Sequence, residues 1–220
     1  MKKIVTLIAM LVTIMAANAQ EQLDYKTIKE IVENEKEYYN DILGVYLSDD
    51  PLIRIDDYAL VYYGHTFTPE YRGANDALED ELKNYAAAGD IFKQYETAKK
   101  ILEYNPVSLN ALFYAWRAAD ELIKPDEETQ SYVKKYLGIL NMITTNGDGK
   151  SSRTPYRVIT PDDQDHILYG VLDVNNIISR NLDTETLCNI VTIEPTEKFQ
   201  SRKVFFDVSR YLSHTAKEKK

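Results

Sequence analysis

From Asp24 the apolar positions follow a helical beat. Ile28, Val32, Tyr39, Ile42, Leu43 and Tyr46 recur at intervals of three, four and seven, and "SDDP" at 48–51 stops the run. That spacing predicts a helix of about 20 residues with one apolar stripe. A shorter run at 56–63 places Ala59, Tyr62 and Tyr63 on one side. Gly64 stands where a left-handed residue would end that helix, and Pro69 prevents a restart. The surrounding stretch, "LVYYGHTFTPEY" at 60–71, crowds four aromatics and His65 around one glycine. It reads either as a ligand pocket or as a corner whose rings cover a helix end.

Four further helices are predicted from caps and periodicity together. Asn75 caps one carrying Leu78, Leu82 and Tyr85, which closes at Gly89; Asp90 caps the next, carrying Ile91, Tyr95, Ala98 and Leu102, which closes at Asn105-Pro106. Ser108 caps a third with Leu112, Ala115, Trp116, Ala119 and Leu122, and after Lys124-Pro125 a fourth carries Tyr132, Val133, Tyr136, Leu137 and Leu140. Short turns make these antiparallel pairs. Ala98, Pro106, Ala111 and Ala115 give them a resemblance to the tetratricopeptide repeat, whose period is about 34 residues, although the Trp and Leu-Gly of its first helix do not fall where a strict match needs them. Two divergent units are fewer than the roughly three repeats that stabilise a free-standing solenoid, so the C-terminal part is expected to help bury the helical face.

Beyond the loop "TTNGDGKSSRTP" at 144–155 the period changes from about 3.6 to 2. Short strands are expected at 156–160, 187–194 and 203–209, the last with Val204, Phe206 and Val208 on one face, and a helix at 162–172 begun by Pro161. The fold class is therefore α+β: mainly α, tetratricopeptide-like helix pairs followed by a small antiparallel sheet with one helix. The expected divisions are a signal peptide at 1–19, a helical region at 20–145, a small α/β region at 146–213 packed on it, and a flexible tail at 214–220.

Lys2 and Lys3, the apolar run at 4–15 and Ala17-Asn18-Ala19 have the order of a signal peptide. The run is shorter than the roughly 20 residues that span a bilayer, so the mature chain is expected to begin at Gln20, to be periplasmic or secreted, and not to stay inserted in a membrane. Formal charge is −9 for the 220 residues and −11 once Lys2 and Lys3 leave with the leader. Such acidity excludes nucleic acid as a partner, because binding phosphates needs clustered Lys and Arg. Cys188 is the one cysteine and is read as a buried small side chain on a strand, since it has no disulfide partner and cannot build a thiolate site alone.

The candidate chemistry is sparse. "NGDG" at 146–149 suggests a calcium loop with Asp148 as a ligand, yet the acids needed at its first and last positions are Thr144 and Pro155. "GDGKS" lacks the phosphate-loop spacing. His65, His166 and His214 form no helix-face zinc pair, and no nucleophile elbow is present. The acids of "PDDQD" at 161–165 read first as helix-capping groups. A tight turn at Gly149 and half-buried tyrosines are the favoured structural readings. No catalytic residue, metal ligand or cofactor is expected; Tyr62, Tyr63, His65, Trp116 and Asp148 are the candidate binding residues.

"YYG" at 62–64, "YNP" at 104–106, "NGDGKSSRTPYRVI" at 146–159 and "KVFFDV" at 203–208 follow one another in an order that resembles the exported Bacteroides-type family carrying domain of unknown function 4919. The resemblance covers most of the mature chain. It departs at "DHILYG", where an acid-Tyr pair is expected soon after the Val-Ile strand. It implies an exported address and a framework role for the aromatic stretch, and it carries over no functional residue. The leading expectation is thus a non-enzymatic module that binds a protein or peptide of the cell envelope. The alternative is an envelope hydrolase using Asp148 and the acids at 162–165.

Overall fold

The computed structural model describes residues 24–218, and the leader expected at 1–19 lies outside them. Seven helices come first: α1 (Tyr25–Asn34), α2 (Lys36–Leu47), α3 (Ile55–His65), α4 (Ala77–Ala88), α5 (Ile91–Tyr104), α6 (Leu109–Glu121) and α7 (Asp126–Thr145). After β1 (Tyr156–Arg157), one turn of helix, α8 (Asp163–Asp165), runs into a π-helical stretch (His166–Val171). Then follow β2 (Ile177–Asp183), β3 (Cys188–Ile193), β4 (Lys203–Asp207) and α9 (Ser209–Glu218). The fold is mainly α with a small C-terminal sheet.

Local chemistry sets most helix ends. Asp24, Asp90 and Ser108 accept from the amides of Thr27, Lys93 and Ala111 at 2.7, 3.1 and 3.0 Å, closing off free N–H groups at the starts of α1, α5 and α6. Gly89 ends α4 at φ 68°, a left-handed conformation that suits a residue without Cβ. Asp76, not Asn75, caps α4, through the Leu78 amide at 3.1 Å. The long N-terminal pattern is divided at Glu35, whose φ of −119° and ψ of 48° separate α1 from α2.

Gly64 does not end its helix. It lies inside α3, where a Cβ would meet Cε2 of Tyr39 at 2.8 Å and Cγ2 of Val32 at 3.1 Å. Its missing side chain lets α1 and α2 close onto α3, a use of glycine that periodicity alone does not separate from a cap. Farther along, Leu82, Ala98, Ile101, Ala111 and Ala115 form a core of their own among α4, α5 and α6, where small side chains let helices approach.

The sheet order is β1-β4-β3-β2. β3 pairs antiparallel with β2 and β4, whereas Tyr156 and Arg157 of β1 lie parallel to Phe206 and Asp207 of β4. The sheet is therefore mixed, a correction to the antiparallel expectation. β1 comes from a long connection rather than a hairpin, and hydrogen bonding of the Phe205 amide to the Gly149 carbonyl at 2.8 Å fixes its approach. Val204, Phe206 and Val208 are fully buried, as their alternation predicts, and Cys188 is buried on β3. Residues 214–218 form the end of α9, whose Arg210 donates to the Thr66 hydroxyl at 3.1 Å and lies 4.0 Å over the Phe67 ring.

One apolar core joins the helices to the sheet. Ile28, Tyr62, Ile139 and Ile143 from the helices and Val158, Ile167, Val191 and Phe206 from beyond residue 145 belong to the same buried cluster. The chain from 146 to 154 is a tight turn in which Asp148 accepts from the Lys150 amide at 3.1 Å and the Thr154 hydroxyl at 2.5 Å. These bonds, Thr154 first, hold the exposed Asp148 carboxyl below its usual range. Gly149 has φ 65°, with the Tyr156 ring packed where a Cβ would be. Gly149→Val is expected to destabilise by about 2–4 kcal/mol in urea melts, since a branched side chain is strained there and collides with that ring. Asp148→Ala is expected to change calcium titration heats not at all; micromolar calcium binding lost in that variant would show the turn to be a metal loop.

Candidate functional site

The five candidate binding residues are not brought together. Tyr62, Tyr63 and His65 are 0, 2 and 4% exposed, and their stretch is a corner inside the core. Tyr62 donates to Asp163 Oδ2 at 2.8 Å, Tyr63 to the Arg157 carbonyl at 3.4 Å, and Tyr71 to the Ile159 carbonyl at 2.5 Å. α3 and the segment after it thus staple the chain around β1 in place. Burial pushes His65 down to about 4, so it sits neutral beside the Tyr71 ring. Asp148 is in its turn. Trp116, half-buried on α6, alone stands near a cleft, with its ring 6.1 Å from Phe113 and 6.2 Å from Tyr136.

That cleft lies where α4, α6 and α7 face the chain from Thr160 to Gly170. It consists of two hollows of about 240 and 480 Å³ that share Lys83, Asn110 and Asp162. The larger has an aromatic wall of Phe113, Tyr114, Tyr136 and Tyr169, the last half exposed. The smaller is polar and adds Asp76, Glu79, Asp80 and Ser108. The π-helical stretch supplies His166, Tyr169 and Gly170, and such turns are frequent at functional sites.

A hydrogen-bond chain runs along the shared floor. Lys83 Nζ donates to Asp162 Oδ2 at 3.0 Å and lies 3.1 Å from Asp80 Oδ1. Asn110 Nδ2 donates to the same Asp162 oxygen at 3.0 Å, which leaves Asn110 Oδ1 to accept from His166 Nε2 at 2.8 Å. His166 Nδ1 then accepts from the Tyr136 hydroxyl at 3.1 Å. This is the neutral Nε2–H tautomer, in keeping with burial pushing His166 down to about 4. The chain fixes Asn110 and Asp162 in one orientation, as a preformed recognition surface requires.

Glu79 is the outlying group. Burial pushes its carboxyl up to about 7; the Ser108 hydroxyl and, more weakly, the nearby Asn110 amide pull it down, while Asp76 and Asp162 push it up. Ser108 donates to Oε1 at 2.5 Å, whereas the enclosed Oε2 has no hydrogen-bond partner of good geometry among the described residues. Asp163, at the back of the same hollow, is also pushed up by burial, to about 6, but its Oδ2 accepts from the Tyr62 hydroxyl and the Ile159 and Thr160 amides. Among the described residues no group of three or more His, Cys, Asp and Glu side chains is arranged to hold a metal ion.

The family described as Domain of unknown function (DUF4919) matches residues 26–217. The chain belongs to that family. No curated protein and no solved structure shows a significant match. The match runs through all nine α segments and all four strands described above, so the cleft is made wholly of residues the family covers.

Sequence reasoning had singled out Trp116 and the acids at 162–165 but not Glu79, Lys83, Ser108 or Asn110. Glu79 and Lys83 are four apart on α4 and share a face, which in sequence looks like any solvated helix face. Ser108 is accounted for in sequence as the N-cap of α6, and Asn110, two residues on, looks like an ordinary polar residue of a first helical turn. Only the tertiary meeting of α4, α6 and Asp162 makes them a site. In chemical terms the arrangement offers a charged and hydrogen-bonding floor, an aromatic wall and one carboxyl group poised near neutrality.

Proposed function

We propose that this protein is an exported, non-enzymatic binding module of the cell envelope, whose cleft receives an extended segment of a protein or peptide partner. Bacterial export follows from the Lys2-Lys3, apolar and Ala17-Asn18-Ala19 order, and the tetratricopeptide-like pairing of α4 to α7 gives the helical frame its kinship with peptide-binding arrays. The observation that carries the reading is the pairing of an open aromatic wall with the fixed polar floor of Lys83, Asn110 and Asp162. Rings supply contact area at low entropic cost, and the floor sets register.

A photo-reactive phenylalanine analogue at position 169 is expected to crosslink in cells to a defined peptide of one partner, and the same analogue at Leu52, 82% exposed and outside the cleft, is not. Lys83→Glu is expected to reduce the crosslink from 169 at least tenfold. Identical adducts from both positions would remove the support for the cleft as a docking site.

The hydrolase reading keeps one specific support, Glu79 near 7 beside Asp162 in the smaller hollow. The acids named for it in the sequence separate in space: Asp148 is in the turn, Asp163 is held by the framework, and Asp165 pairs with Arg180. Two working carboxyl groups would therefore have to be Glu79 and Asp162.

A further inference from the structure

We propose that a third hollow, where the end of α4 meets α5 and α6, receives the side-chain carboxylate of a glutamate in the partner segment, while an aromatic residue two positions away lies on the wall of the larger hollow. This inference rests on the cleft reading above and names the side chains that the cleft selects.

Small residues make the space. α4 runs out on Ala86, Ala87 and Gly89, and a Cβ at Gly89 would meet nothing within 4 Å. These residues line a hollow of about 470 Å³ whose other walls include Gln94 of α5 and Tyr114 and Arg117 of α6. Lys83 borders this hollow and both hollows of the cleft, and Tyr114 borders this one and the larger. The three are therefore neighbours along one face.

Gln94 points to a ligand. It is 5% exposed, and its side-chain amide makes no hydrogen bond among the described residues. Nor is it one of the fully enclosed unpartnered groups, so its polar atoms keep surface open to the hollow they line. Buried amides are normally satisfied, because an unmet donor and acceptor cost stability that an apolar side chain of the same size would not. An amide left open in this way is a partner for a group that enters from outside.

The groups beside it donate. The Arg117 guanidinium makes no ion pair among the described residues and lies 5.7 Å over the Phe113 ring, a cation–π contact that leaves its N–H donors uncommitted. The Tyr114 hydroxyl is likewise without a hydrogen bond among the described residues. Guanidinium, amide N–H and phenol O–H together suit a carboxylate, which only accepts. Local charge agrees: the lining sets Lys83 and Arg117 against Glu121, in a chain of formal charge −9. Arg117 and Glu121 stand exposed at the rim, so the partner chain can pass on beyond the hollow while a glutamate stem reaches down to the recessed amide. In an extended chain, side chains two positions apart point the same way and lie about 6.5–7 Å apart. With the glutamate at Gln94, that spacing sets an aromatic ring of the same segment against Tyr114 and the wall beyond it.

The probe is acetyl-Gly-Phe-Ser-Glu-Ser-Phe-Gly-amide, which has a ring two positions from the glutamate in either chain direction. Titrated by NMR into the intact 15N-labelled protein, it is expected to move the Gln94 side-chain amide and Arg117 Nε signals, with a Kd about tenfold lower than that of its glutamine counterpart. Serine in place of both phenylalanines is expected to weaken binding by about the same factor. Arg117→Gln, at an exposed position, is expected to abolish the preference for glutamate over glutamine. Gln94→Leu is expected to raise the Kd about fivefold and to leave the melting temperature unchanged or higher, whereas loss of a structural glutamine would lower it. Equal Kd for the glutamate and glutamine peptides, a stationary Gln94 signal, or a Gln94→Leu variant that melts lower and binds as before would each overturn the glutamate pocket. So would a glutamine peptide with a free C-terminal carboxylate that binds as tightly as the probe, since the hollow would then read a chain end. Crosslinking from position 169 without a glutamate preference removes this inference and leaves the docking cleft. Glutamate-dependent binding without crosslinking leaves the pocket and removes the cellular partner.

Discussion

Asp163→Ala is expected to lower stability by about 3–5 kcal/mol, or about 6–20 °C in melting temperature for a domain of this size. Asp163 is 3% exposed and accepts from the Tyr62 hydroxyl at 2.8 Å, the Thr160 amide at 2.8 Å and the Ile159 amide at 3.2 Å. Alanine would leave these donors without their buried acceptor in the joint between α3 and the chain that follows β1. Tyr62→Phe removes one donor and spares the acceptor, so its expected cost is smaller, about 1 kcal/mol. Chemical denaturation of both variants against the native protein decides between this ranking and a packing role for Tyr62 alone, under which Tyr62→Phe, which keeps the ring, would cost almost nothing.

The charge on Asp163 gives the same variant series a pH signature. Burial places its native value near 6, above the 3.8 of an unperturbed aspartate, so the native state keeps a proton that the unfolded chain releases. Its contribution is fully present below about 3.8 and is lost as pH rises through about 6. Asp163→Asn is therefore expected to cost less at pH 8 than at pH 4.5. His65 and His166 oppose this trend, because burial holds both near 4 and stability linked to them is lost as pH falls below about 6.5.

Elements that announce themselves through local chemistry were legible in the sequence. The helices capped by Asp90 and Ser108, the one closed by Gly89, and the alternation of Val204, Phe206 and Val208 each combine a period with a start or stop residue, and two independent signals are hard to mistake. β2 escaped because its alternation is broken by a register shift between Ile177 and Ser179 and because most of its side chains are not buried. The π-helical stretch has no distinct spacing over six residues, so it reads as ordinary helix. α9 was not anticipated as a helix, since its anchor is the meeting of Arg210 with Thr66 and Phe67, 144 positions away for Thr66. The site was least legible for the same reason: Glu79, Lys83, Asn110 and Asp162 carry no common motif, and each has a sufficient local explanation until the fold sets them face to face.

A chain cut after Gly147 is expected to lose cooperative folding altogether, because the helices do not own their core. Val158, Ile159, Ile167, Leu168, Val191, Val204, Phe206 and Val208 are at most 1% exposed and would all be removed. At roughly 1.5–3 kcal/mol for each fully buried side chain, about 12–24 kcal/mol for the eight as an upper bound given a partly compact unfolded chain, their burial is as large as the roughly 5–15 kcal/mol by which domains are usually stable. The cut also exposes Ile139 and Ile143 of α7 and strands the hydroxyls of Tyr62, Tyr63 and Tyr71, whose acceptors all lie beyond residue 155. The cores held by α4, α5 and α6 alone, built on Leu82, Ala98 and Ile101 and on Tyr95 and Ala119, are too small to replace them. Residues 20–147 should therefore keep part of their helical circular dichroism, bind a hydrophobic dye and melt without a sharp transition, whereas residues 20–220 melt in one step. A shorter fragment that melts cooperatively at the temperature of the longer one would mean that helices and sheet are separate folding units, and the cleft between them would then depend on docking rather than on one continuous core.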